Sequence, residues 1–318
     1  MSSKKLNIVW GIDNNYIPHL AACIASLLAY NSLESFHFYI LSLNISQGNK
    51  GILCNWVTKQ KQDITFIDVD YNTIKNFPIK KSDYISLASY LRLFIPKLLP
   101  HNISKVLYAD ADILFNGPIS ELFKTDISHY ATAAVEDAPN NNPSRLGYDE
   151  KFSYFNAGFQ VLNLDYLRQI NFTEKALDYI KKNHDKIILH DQDVMNALLH
   201  GKVLFLPISW NMLDCYYITP PRIARKYKQD LKKFKQNAVI IHFSGPLKPW
   251  HYGCRHPLKK LYKKYSKKFT YSDSTDPWEG LRKFPKEKQW MIMLRFPWKY
   301  IDLFYNIIQR AKKRLHIS

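Results

Sequence analysis

Short apolar runs alternate with longer stretches of helical periodicity along most of the chain. Leu6–Trp10, Phe36–Leu43, Ile64–Val69 and Val106–Ala109 are rich in β-branched and aromatic residues and have the length of buried strands. Between them, Ile17–Tyr30, residues 47–60 and Tyr84–Leu99 read as helices, the last with a break near Pro96. Tyr130–Val135, Gly158–Leu164, Val203–Leu206 and Ala238–Phe243 predict further strands, with helices over Phe172–Asn183 and Asp191–His200. Such alternation implies βαβ units on a mostly parallel sheet, and so an α/β fold. Asp137–Gly147 carries turn residues and reads as the clearest long loop, while 221–236 is basic and compatible with helix.

Open α/β sheets bind ligands at the carboxyl ends of their strands, and polar residues gather there. Asp13, Asn15 and Tyr16 follow the first strand, Asp110 and Asp112 the fourth, and His242 closes the apolar run Ala238–Ile241. In extended backbone, positions two apart point the same way, so Asp110 and Asp112 can converge on one cation. Oxygen ligands suit Mg²⁺ or Mn²⁺, and an added imidazole favours Mn²⁺. Taken singly, each feature has a plainer reading: a solvated acidic strand end, a hydrogen-bonded histidine in a turn, ordinary Asx turn chemistry. Asp191 and Asp193 head a helical pattern, where the dipole favours carboxylates whatever the function.

The ten glycines are nowhere arranged as GxG, which excludes the usual dinucleotide and Walker phosphate loops. A diphosphate bound here needs a metal in place of a glycine cradle. Gly245 allows close backbone approach to a phosphate, and Lys248 offers it a point charge.

Net charge changes the picture at one end only. Over residues 221–318, Lys and Arg outnumber Asp and Glu by 25 to 6, against 20 to 21 before them. The candidate partners of that basic third are nucleic acid, an anionic membrane surface or an acidic glycan. Four scattered cysteines without a CxxC pair predict free thiols in a reducing compartment. No apolar segment precedes Leu6, so no signal peptide is expected. Leu20–Tyr30 is far short of the roughly 20 residues of a membrane span.

Together the segments VLYADAD, YFNAGF and HFSGPLKPWH resemble glycosyltransferase family 8, the bacterial lipooligosaccharide galactosyl- and glucosyltransferases related to glycogenin. The resemblance runs from about Asn7 to Trp250. It implies a GT-A-type nucleotide-sugar-binding fold over residues 1–250, followed by a basic, aromatic extension at 251–318. It further implies that Asp110, Asp112 and His242 bind Mn²⁺, and that Gly245 and Lys248 hold the diphosphate of a UDP-sugar. Asp13, Asn15 and Tyr16 would line the nucleoside pocket. Arg92, Asn156, Asp191 and Gln192 match residues around the donor sugar, and Asp137 matches an acidic residue beside sugar and acceptor. The first loop departs from the pattern, reading Asp-Asn where many relatives have Asp-Asp.

The implied activity is transfer of galactose or glucose from a UDP-sugar to a cell-surface glycan or glycolipid, with retention of configuration. Gln192 is a poor nucleophile, so same-face attack is expected in place of a double displacement, with Asp191 as the carboxylate alternative. After Pro297, Ile301, Phe304, Tyr305, Ile308 and Leu315 fall at helical spacing. Lys299, Arg310, Lys312, Lys313 and Arg314 lie mostly off that stripe, and Trp290 and Trp298 add aromatic anchors. This helix suits the cytoplasmic face of an anionic membrane; the alternative is a helix docked on the protein's own core. Two rival functions are a sugar-nucleotide nucleotidyltransferase, which usually has a Gly-rich N-terminal loop, and a nucleic-acid-binding protein, for which no reading motif is present.

Overall fold

A computed structural model describes residues 5–79, 85–140, 143–218, 220–271, 282, 284–294 and 298–315. The chain order is β1 (Leu6–Asp13), α1 (Ile17–Tyr30), β2 (Phe36–Leu43), α2 (Gln47–Lys59), β3 (Asp63–Asp68), a 3-10 helix (Leu87–Phe94), α3 (Ile95–Leu98), β4 (Lys105–Ala109), β5 (Ile113–Phe115) and α4 (Ser120–Lys124). Then come β6 (Thr132–Glu136), α5 (Pro143–Leu146), β7 (Phe155–Asn163), α6 (Leu164–Gln169), α7 (Phe172–Lys182), α8 (His190–Leu199), β8 (Val203–Leu206), β9 (Met212–Leu213), α9 (Leu231–Gln236) and β10 (Ile240–His242). Three helices end the described chain: α10 (Lys259–Ser266), α11 (Lys286–Met293) and α12 (Trp298–Leu315).

Seven strands form the main sheet in the order β3-β2-β1-β4-β7-β6-β8. Pairing is parallel except where β7 meets β4 and β6. This is the mostly parallel α/β architecture expected of a GT-A fold. Alternation in β1 divides the core: Ile8, Trp10 and Ile12 pack with α1 and α2, while Val9 faces the opposite cluster that includes the 3-10 helix, α7 and α8.

A smaller sheet, β5-β10-β9, is not evident from the sequence because its strands have only two or three residues. β10 therefore belongs to this second sheet. Its antiparallel register sets His242 opposite Ile113, and Phe243 N–H donates to Asp112 C=O at 3.0 Å. Pro96 marks a break in helix type, the 3-10 helix giving way to α3 at Ile95. It sits in the first turn of α3, where its missing N–H removes no helical bond; Tyr84 lies outside the described residues. The Asp137–Gly147 segment contains a 3-10 turn at Ala138–Asn140 and the short α5.

Past residue 250, α10 packs on α1 with Tyr262 and Tyr265 buried. The final helix has two apolar faces. Ile301 is buried and Tyr305 packs beside it, whereas Phe304, predicted on the same stripe, is exposed together with Tyr300, Leu303 and Ile307. Pro297 and the side chains of Trp298, Lys299, Lys313, Arg314 and Leu315 lie outside the described residues. No helix among the described residues is long and apolar enough to cross a membrane, and all four cysteines are free thiols.

Candidate active site

The strand ends meet at a cleft of about 1040 Å³. Asp110, Asp112 and His242 enter it with ligand atoms within 4.8 Å of one another. β4 ends at Ala109, so Asp110 and Asp112 lie in the turn before β5, and the β5–β10 pairing brings His242 beside them. His242 Nε2 lies 3.2 Å from Asp112 Oδ1 and 3.7 Å from Asp110 Oδ2.

The imidazole is aimed by a residue far from it in sequence. Asn211 Nδ2 donates to Asn156 Oδ1 at 2.8 Å, so Asn211 Oδ1 faces His242 Nδ1 at 3.0 Å and must accept its proton. Nε2 is then the lone-pair nitrogen, pointing at the carboxylates. Asp112 Oδ1 is buried and has no hydrogen-bond partner. Two carboxylates, one of them with an orphaned buried oxygen, and an imidazole lone pair around one point fit a divalent cation. Gly158 completes the fit. A Cβ there would overlap Asp110 Oδ2 and His242 Cε1, so only glycine leaves room for both side chains.

Lys248 Nζ donates to Asp112 Oδ2 at 2.5 Å and to Phe243 C=O at 2.8 Å. Burial pushes the Asp112 carboxyl up, but Lys248, joined by His242 whenever that ring is protonated, outweighs it and holds the group well below the ordinary carboxylate range. Gly245 lines the same wall, where a Cβ would meet Asp214 Oδ2 at 2.6 Å. Burial raises the Asp214 carboxyl, which follows β9.

On the opposite wall Arg92 spans two acids. Its Nη2 donates to Asp110 Oδ1 at 2.7 Å, and its Nε lies 2.9 Å from Asp191 Oδ2. A further bond from Nη1 to Ala157 C=O fixes the guanidinium, whose centre lies 4.4 Å from the Tyr108 ring centroid. Burial raises the Asp191 carboxyl against the opposing pull of Arg92. Gln192 is committed on both sides of its amide. Oε1 accepts from Asn156 Nδ2 at 3.1 Å and Ala157 N–H at 3.0 Å, while Nε2 donates to Asp137 Oδ2 at 3.1 Å. α8 has no side-chain N-cap; Asp193, inside its first turns, accepts from the Ile188 and Leu189 amides just ahead of it, while Asp191 faces Arg92.

Asp13 and Tyr16 line the cleft's other end, and Asp13 closes an Asx turn by accepting from Asn15 N–H at 3.0 Å. Asn15 itself is exposed and is absent from the cleft wall. Its neighbour Asn14 ties the turn to α2 through Ser46 N–H and Asn49 Nδ2. Tyr16 packs edge-on against Trp250, which stacks on His19 at 3.5 Å between centroids. Of the thirteen predicted site residues, the cleft thus gathers all but Asn15.

The profile of glycosyl transferase family 8 matches residues 7–254. The chain belongs to glycosyltransferase family 8. The transferase is 31% identical over 267 residues to the lipopolysaccharide 1,2-glucosyltransferase of Escherichia coli K12, covering 82% of this chain and 78% of that one. It is 26% identical over 283 residues to the lipopolysaccharide 1,3-galactosyltransferase of Salmonella typhimurium LT2, covering 86% and 79%. The crystal structure of the galactosyltransferase LgtC with donor and acceptor sugar analogues superposes with a TM-score of 0.75 at 25% identity, covering 88% of this chain and all of that one.

Three residues that shape the transferase's cleft carry no mark in the sequence: Asn211, Asp214 and, as a steric requirement, Gly158. Asn211 and Asp214 flank the two-residue β9, too short for any alternation to mark a strand end. Gly158 stood in the YFNAGF motif, but its need for open space arises only when Asp110 and His242 approach β7.

Proposed function

We propose that the transferase moves a hexose, galactose or glucose, from a UDP-sugar to a cell-surface glycan or glycolipid such as a lipopolysaccharide core, with retention of configuration and dependence on Mn²⁺. The observation that carries this reading is the convergence of Asp110, Asp112 and His242, with the unpartnered Asp112 Oδ1, beside Gly245 and Lys248. The names of the relatives, a glucosyl- and a galactosyltransferase of lipopolysaccharide, support the hexose and the acceptor class.

Mn²⁺ held by Asp110, Asp112 and His242 would supply positive charge to the departing diphosphate. Lys248 adds a second cation on the same side, releasing Asp112 to reach the phosphate. Asp13 and Tyr16 would hold the nucleoside, and Arg92, Asn156 and Gln192 the sugar. Same-face attack is favoured because Gln192, a poor nucleophile, is bonded on both sides and the Asp191 carboxylate is paired with Arg92. In that step the acceptor oxygen bonds to the anomeric carbon as the carbon–oxygen bond to phosphate breaks. The bonding pair and the acceptor's proton both pass to the phosphate oxygen. Asp137, bonded to Gln192 and Asn156, would orient the acceptor.

Peripheral attachment to the cytoplasmic face of the membrane is part of the same reading, supported by the exposed Tyr300, Leu303, Phe304 and Ile307 on a strongly basic final third. The test of the enzymatic reading is a panel of UDP-sugars scored by UDP release with Mn²⁺ and with EDTA. Release with UDP-galactose or UDP-glucose that EDTA abolishes is expected; release indifferent to EDTA would refute the metal's role.

A further inference from the structure

Asp193 is the second acid of the Asp191-Gln192-Asp193 run, yet neither it nor Arg145 lines the cleft. The Asp193 side chain is fully buried and takes five donors: Arg145 Nη1 at 2.8 Å and Nη2 at 2.7 Å, Tyr154 Oη at 2.8 Å, and the Ile188 and Leu189 amides at 2.7 Å each. Arg145 Nη1 also reaches Lys186 C=O at 2.5 Å. A fork of this kind is directional as well as strong. It grips a turn that is costly in itself, because His190 adopts a left-handed φ of 52° without being glycine.

That turn delivers Leu189, Asp191 and Gln192 to the cleft. The segment from Asp137 to Arg145 is joined to α8 at both ends. Asp137 Oδ2 accepts from Gln192 inside the cleft, and Arg145 holds Asp193 outside it. We propose that the Arg145–Asp193 pair is a positioning latch that fixes the 188–192 turn and so the aim of Gln192 at the donor sugar. The inference rests on the UDP-sugar reading above. Arg145 and Asp193 touch no substrate; their effect passes chiefly through Gln192.

The test is a double-mutant cycle of Arg145→Gln with Gln192→Ala, with Arg145→Lys as the conservative variant. Arg145→Gln should lower kcat for UDP-sugar turnover about 10- to 100-fold, as expected for a misplacement near 1 Å. The Kd for UDP should stay within about twofold, since the nucleoside end is untouched. Arg145→Lys should recover only part of the rate, because an ammonium cannot make the two-toothed contact. In the Gln192→Ala background, Arg145→Gln should lower the residual kcat at least about fivefold less than in the wild type, the remainder reflecting Leu189 and Asp191 on the same turn. An equal loss in both backgrounds, or no loss in the wild-type background, overturns the latch. If the wild type turns over no UDP-sugar, the enzymatic reading fails separately. Hydrogen exchange at the Ile188 and Leu189 amides then decides the latch: at least about tenfold faster exchange in Arg145→Gln supports it, and unchanged exchange overturns it.

Discussion

Gly158→Ala tests the proposed metal site without replacing a ligand. The new methyl would overlap Asp110 Oδ2 and His242 Cε1 and stand 3.1 Å from Asn156 Oδ1. The backbone is held on its β4 side, where Ala109 pairs with Phe159 and Gly158 C=O accepts from Asp110 N–H at 2.7 Å; on the β6 side the register shifts opposite it. The ligands must therefore give way by about 1 Å to restore ordinary contact, whereas coordination tolerates only about 0.2 Å. Overpacking of this size costs about 1–3 kcal/mol, a few degrees in Tm for a chain of this length. The loss in turnover should be larger, about 100-fold, because donor and metal are both displaced. The assay measures UDP release against Mn²⁺ concentration, with far-UV circular dichroism to check folding. A folded Gly158→Ala protein with wild-type rate and wild-type Mn²⁺ requirement would show that the cation does not sit between Asp110 and His242.

Asn211→Ala removes the oxygen that fixes the His242 tautomer, and should raise the Mn²⁺ concentration needed for half-maximal turnover about 10- to 100-fold; an unchanged requirement would refute the aiming role. His256 is kept neutral by burial and, to a lesser extent, by Lys235, which lower its pKa to about 4. The unfolded chain takes up that proton near pH 6.5 and the folded one only near 4, so stability should fall as pH drops through this window, and His256→Gln should flatten the decline in Tm. Replacing exposed Leu303 and Phe304 with Glu should leave Tm within a degree or two and abolish flotation with anionic vesicles; undiminished flotation would exclude this face as the membrane contact.

The legible and illegible parts of this site divide along a physical line. Asp110, Asp112 and His242 could be read because strand ends are visible in local apolar runs, and α/β sheets collect ligands there. Arg92, Asn156, Asp137 and Gln192 were reachable only through family resemblance, since nothing local distinguishes an Arg in a helical stretch or an Asn before a glycine. Asn211 was reachable by neither route. Its role exists only because β9 and β10 pair in parallel and set Met212 beside Ile241, placing an amide between His242 and Asn156. The C-terminal helix shows the same limit from the other side. Helical spacing singled out one apolar stripe and posed membrane against core as alternatives. The fold takes Ile301 into a cluster with Leu247, Met291 and Ile292, next to the loop that carries Gly245 and Lys248. It leaves Leu303, Phe304 and Ile307 outward. One helix therefore has a face for each alternative, and a periodicity that averages over both cannot separate them. If the outward face does bind membrane, the inward one holds the catalytic loop at a fixed height above it.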